Sequence, residues 1–514
     1  MNSNLKISAM GVILLGAITV SMQLSAQEQS APQNSRRKHH HYKLIEIGTF
    51  GGPTSAIAGA PSRVLTNHGT VIGFADTKAS DPFKPNCLSP TCSVLKSFLW
   101  HDERLTELPS LASGASSLAF WENDHRWVAG ISETGSIDPK LGTPEYAPAL
   151  WRRGEIKNLG TFGGRAGVAN AVNNRGEVVG GASNGMVDPQ HSMLDSNSWV
   201  FGLFPSNIQS RAFVWVDGLL LNLGTLGGSD SMAIFNNDRG QVVGISYPSD
   251  DPIPGFGGYP AVATFLWQQG EMKNIGGLGG HSTIPRGFNN RGEIVGISNL
   301  KNDPPFPHAF LWNGHSVRDL GTLGGEGSTA NFITDNGLIT GFSETVVGKH
   351  ALGHPYLWRA GHMIDLGPPK AGFHCASGAS VNIHAQVVGG AACNANNSAY
   401  PFLWEKSNPI IDLNSLLVPG TKFTVDEAIS INDRGEIACT GTRPNGDQRA
   451  CLLVPLDDDH DWDDDATAGV AEQLPAPAAS PNSPTTNQKT GAYGTRSRQP
   501  FNGNYRLPWE GSKH

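Results

Sequence analysis

Five Asp-Pro pairs recur along this 514-residue chain, at Asp81, Asp138, Asp188, Asp251 and Asp303, each at a similar distance after a short apolar run. Carboxylates repeated in this way could line one rim of a repeating structure and bind a cation, a basic partner or sugar hydroxyls. The plainer reading is that Asp-Pro starts a turn. Near the C-terminus Asp459, Asp461 and Asp463 have the alternate spacing of a calcium loop, but Asp464 stands where such loops need Gly and Val470 where they need Glu. Weak attraction of cations by a charged tail fits these residues better, and no metal site or cofactor is expected. Six cysteines fall into three local pairs: Cys87 with Cys92, Cys375 with Cys393, and Cys439 with Cys451. Lacking paired zinc-ligand spacing, they read as disulfides. The chain carries no GxSxG, HExxH or Walker A motif, so no catalytic residue can be named.

What must position these residues is an internal repeat. Trp100, Trp151, Trp215, Trp267, Trp312, Trp358 and Trp404 each end an FLW-like run, and Leu453 holds the same frame once more, giving eight units. Each unit has four short apolar runs divided by turn signals, which is a strand pattern. Run a holds the tryptophan and turns tightly into run b, which ends in Leu-Gly. Run c ends in Asn-Asn-Arg-Gly or a variant, as at Asn173 to Gly176, and "EVVG" opens run d. Asn or Asp before Gly between two β runs marks a hairpin needing positive φ.

Four strands cannot bury both faces of their own sheet, so the units must stack. The expected fold is all-β, a β-propeller of about eight four-stranded blades. The chain opens on a b run and ends on an a run, so pairing of the N-terminal and C-terminal strands would complete the last blade and leave no orphan edge. The tryptophans then belong to the blade cores. The polar residue before the Leu of each b run, such as Asn158 or Asp365, should hold a turn.

Around the array, which spans residues 43–456, Lys6, an apolar stretch and the small residues to Ala26 read as a signal peptide over 1–26. Residues 27–42 are a basic linker. Residues 457–514 form an acidic, then Ala/Pro/Ser/Thr-rich tail with too little apolar surface to fold. Net charge is −8, yet seven aspartates lie between Asp457 and Asp465. The array is therefore near neutral and offers nucleic acid no basic stripe. No second apolar stretch of membrane length follows the leader, and the expected product is an exported monomer.

The combination of AFLW, DLGTLGG and NxxGxVVGxS resembles the bacterial extracellular repeat proteins of the HAF family, whose His-Ala-Phe stands here as His308-Ala309-Phe310. Resemblance extends over about 43–454 and implies export, but brings no established activity or site residue. Unit 2 and unit 8, with its "DLNSLLVPG" and Cys439 in place of Gly, depart most.

Variety is concentrated in the d-to-a loops, the longest of which carries Trp199, and binding usually resides in loops on a rigid scaffold. Two functions follow from this pattern. One is a non-enzymatic propeller that binds a glycan or a surface protein through its loop-rich rim. The other is a propeller hydrolase or lyase acting on an extracellular polysaccharide, with acids from several blades meeting near the axis.

Overall fold

A computed structural model describes residues 40–456 except 60, 114, 140–141, 189–207, 255–258, 305, 348–349, 393–398 and 406–408. The leader, the tail with Asp459, Asp461 and Asp463, most of the linker, Trp199 and Cys393 lie outside the described residues.

The protein is an eight-bladed β-propeller. Its strands form seven hydrogen-bonded sheets, six of four strands and one of eight, in which two blades are joined by a single parallel pairing of Gly353 with Cys375. Within each blade the strands are ordered c, d, a, b. From the second blade to the eighth, strands c of neighbouring blades touch, and strands b, such as Glu155–Asn158, are mostly exposed, so c is innermost and b outermost. We number the blades from Gly51–Glu107 as the first. The N-terminal strand Tyr42–Glu46 is the outermost strand of the eighth, pairing antiparallel with Gln448–Pro455 in a register that sets Leu44 opposite Leu453.

Two local features explain the repeat. In seven blades, all but the first, strand c has a bulge three residues before its c–d turn, at Asn170 in the third blade and Ala379 in the seventh. A carbonyl of strand c stands close against strand d, where a Cβ on Gly180 would collide with the Val168 carbonyl oxygen and one on Gly389 with that of Ser377. The same approach recurs at Gly73 of the first blade against the Ala56 carbonyl, and this close contact explains the glycine in "VVG".

The second feature is the turn itself. Asn123, Asn173, Asn237, Asn289, Asn382 and Asn432 hold its first position and accept through Oδ1 from their own turn, as from the Arg175 and Glu177 amides by Asn173. Their Nδ2 groups donate forward to the carbonyl that opens the next blade's turn, at 2.8 to 3.2 Å. These amides stitch the inner ring together, and the last link runs from the eighth blade to the first.

Seven tryptophans lie in strand a, where Trp100, Trp151, Trp215, Trp312, Trp358 and Trp404 are buried. Each such side chain contributes roughly 1.5 to 3 kcal/mol. Strand c residues Ala56, Phe120, Val168, Met232, Ile234 and Ile429, from five blades, belong to one buried apolar cluster.

Candidate functional site

The topology places the d–a and b–c connections on one face and the a–b and c–d turns on the other. All five Asp-Pro acids lie on the first face, but they do not form an open arc. Asp81, Asp138 and Asp188 are buried. Asp81 accepts from the Phe83 amide at 2.8 Å and from Ser116 Oγ of the next blade at 3.0 Å. Asp188 accepts from Ser229 Oγ at 3.3 Å, again across a blade boundary. Asp303 receives the His281 amide at 2.8 Å and the His281 ring Nδ1. Partial burial works against its ionisation, but these donors outweigh it and hold the carboxyl below its usual range. Asp251 is exposed. Its neighbour Asp250 receives the Ser229 amide at 2.6 Å, a bond within the fourth blade.

The polar residues before the Leu of strand b hold turns. Asn158, Asn222, Asn274, Asp319 and Asp365 accept from the amide two residues on at 2.7 to 2.8 Å. Asp319 and Asp365 are also met by Nδ1 of His308 and His354. The histidine of His-Ala-Phe therefore ties strand a to strand b.

Cys87 is bonded to Cys92 and Cys439 to Cys451. Cys375 is also disulfide-bonded. Among the described residues no group of three His, Cys, Asp or Glu is arranged to hold a metal ion, and no helix is long and apolar enough to cross a membrane.

Several carboxyls are buried between blades. Burial pushes Asp230 up to about 6, with Asp188 adding to the effect, and Glu133 up to about 7. Glu427, on strand c of the eighth blade, is also raised to about 7 by burial and by the adjacent Asp426.

A cleft of about 560 Å³ opens on the loop-bearing face where the seventh and eighth blades meet. Phe373 and Tyr400 meet edge to face with ring centres 4.8 Å apart. Lys370 Nζ lies 4.2 Å from the Tyr400 ring centre and 2.8 Å from Asp412 Oδ2, and the Lys370 amide donates to Tyr400 Oη at 2.9 Å. Asp412 in turn caps the short 3-10 helix Leu413–Leu416 by accepting from the Asn414 amide. Asn414 is locked by bonds to both the amide and the carbonyl of Val425. The far wall is the loop Leu417 to Thr424. The result is a hollow in which the half-buried Phe373 offers aromatic surface backed by the buried Tyr400, with a charge pair and hydroxyls at its margin.

Of this cleft the sequence singles out Asp412 alone, as the polar residue that holds the turn after its b run, and gives it no part in a binding site. The cleft's only advance signal was the departure of unit 8 from the repeat, because "DLNSLLVPG" is the insertion that builds the helix and the wall.

No protein-family model matches the chain, and no curated protein matches it. Among solved structures the chain is similar to the β-propeller domain of the Trilobed protease from Pyrococcus furiosus, described as having an open velcro topology. Identity is 9%, coverage 73% of this chain and 97% of that one, and the TM-score 0.40. A polysaccharide lyase of family PL25, an ulvan lyase solved with a bound glycan fragment, is 10% identical, covers 80% of this chain and 96% of its own, and has a TM-score of 0.36.

Proposed function

We propose that this chain is an exported propeller of the HAF repeat type that binds a glycan without transforming it, in the cleft between the seventh and eighth blades. The observation that carries this reading is the Phe373–Tyr400 pair beside Lys370 and Asp412. Sugar rings present apolar faces that stack on aromatic groups and hydroxyls that need both donors and acceptors, and this cleft supplies all three. Asp412 is engaged by Lys370 and Asn414, which suits a fixed acceptor better than a group that must exchange protons. None of the carboxyls with raised values lines the cleft: Asp230, Glu122 and Glu133 lie at other blades, and Asp426 and Glu427 follow the wall residue Thr424 along strand c of the eighth blade. Disulfides support export into an oxidising compartment.

Glycan-array screening of the full-length chain, repeated with Phe373→Ala, tests the reading. Expected is binding to a defined glycan group that the variant loses by about tenfold or more while its melting curve is kept. Binding unchanged in the variant would refute the site. Shortening of a bound polysaccharide would instead establish the enzyme reading.

A further inference from the structure

The seam between the first and second blades is built unlike the other seven. Its first-blade turn begins with Thr66, whose hydroxyl accepts from the His68 and Thr70 amides of its own turn. Among the described residues no side-chain amide crosses from this turn to the next, and an Arg63–Asp124 ion pair stands in its place. Thr334 makes the same break in the sixth blade, but there Asn331 and Asn336 bridge to the Gly378 and Ile383 carbonyls.

Besides Asp81, which is bonded to Ser116, two carboxyls with unpartnered oxygens are sealed into this one seam. Glu122, at the end of strand c of the second blade, is fully buried, and neither carboxylate oxygen has a hydrogen-bond partner. The residues at its place in the third, fourth and fifth blades are Val172, Asn236 and Phe288. Thr70 of the first blade is also fully buried with its hydroxyl unpartnered. Glu133 is fully buried as well. It takes the Ser116 amide at 2.6 Å on one oxygen and has no partner on the other.

The charges facing Glu122 are Arg63 from the first blade and Arg126 from its own turn, opposed by Asp124. Those facing Glu133 are Asp81 and Lys96 from the first blade, with Tyr146 on its own. Lys96 is itself spent on Ser110 and the Ala115 carbonyl and is pulled on by Glu107. Burial outweighs the arginines and the lysine, placing Glu122 at about 8 and Glu133 at about 7. A carboxyl sealed without partners is tolerated as the neutral acid and strongly disfavoured as the anion.

We propose that the seam between the first and second blades is a pH-sensitive opening in the ring, closed while Glu122 and Glu133 keep their protons and loosened when they lose them. The sign follows from linkage. The closed seam binds protons that the open one releases, so opening rises with pH by up to about tenfold per unit for each carboxyl until its closed-state value is passed.

Hydrogen exchange reads this directly, because some amides bond across the seam: Ser97 to Ser117 Oγ and Glu122 to the Arg63 carbonyl. The Val262 and Thr283 amides, which join the fourth and fifth blades, serve as controls. Between pH 6 and pH 8, protection corrected for intrinsic rate should fall at least tenfold at Ser97 and Glu122 and change little at Val262 and Thr283. Glu122→Gln and Glu133→Gln should each flatten the slope at the first pair, and either variant suffices should the other fail to fold. Equal slopes at both seams, or slopes untouched in a folded variant, would overturn the proposal.

Discussion

Asn432 of the eighth blade donates its side-chain amide to the carbonyl of Thr66 in the first blade at 3.0 Å, across 366 residues of chain. The same side chain accepts from the amides of Arg434 and Glu436 and reaches Glu436 Oε2 at 2.6 Å. Asn432→Ala therefore strands several buried groups at once. Expected is a loss of about 2 to 3 kcal/mol, read as a lower urea midpoint.

Adjacent glycines in the seventh blade separate packing from conformational freedom. A Cβ on Gly389 would strike the Ser377 carbonyl oxygen, whereas one on Gly390 meets nothing within 4 Å. Gly389→Ala should cost about 3 kcal/mol or more through overpacking, and Gly390→Ala less than about 1 kcal/mol. Comparable melting points for the two variants would contradict this account of the repeated glycine.

Much of this architecture was legible in the sequence, for a definite reason. Strand alternation and turn chemistry are local, so Trp312, the Asn289 to Gly292 turn and the b-first, a-last order of the chain by themselves imply blade, hairpin and closing strand. Tertiary partners leave no such mark. Asn173 reads as a turn residue, but its bond to the Asn237 carbonyl spans 64 residues and two blades. Asp81 reads as the start of a turn, yet its link to Ser116 of the next blade is a matter of blade stacking. The cleft was least visible, because Lys370 and Phe373 come from one connection and Tyr400 and Asp412 from the ends of two strands, and their convergence depends on the insertion in unit 8.

Away from the first seam, Glu427 sets another pH dependence. Its folded-state value of about 7 lies above the ordinary carboxylate range, so the folded protein holds the proton more tightly than the unfolded chain. Its stability contribution is complete at acid pH and is lost as pH rises through about 4.5 to 7. Because the side chain is only partly buried, the loss should be nearer 2 kcal/mol than the full value of the shift. Glu427→Gln should flatten the pH profile of the melting temperature in that window.

The Cys439–Cys451 bond couples strand d to strand a in the eighth blade, the one completed by the N-terminal strand. Cys451 also lies opposite Glu46, the last residue of that closing strand. Twelve residues separate the two cysteines, against five for Cys87 and Cys92. In the chain-entropy account a loop of the longer size contributes about 2 to 3 kcal/mol, and a shorter one less. Cys439→Ser with Cys451→Ser should therefore lower the urea midpoint more than Cys87→Ser with Cys92→Ser. Proteolysis supplies a second test, since a loosened eighth blade exposes the strand Tyr42–Glu46 at the ring's only junction between its ends. Cleavage near Lys43 should then precede cleavage elsewhere in the ring. Faster loss of stability in the Cys87 and Cys92 variant would place the weak point in the first blade instead.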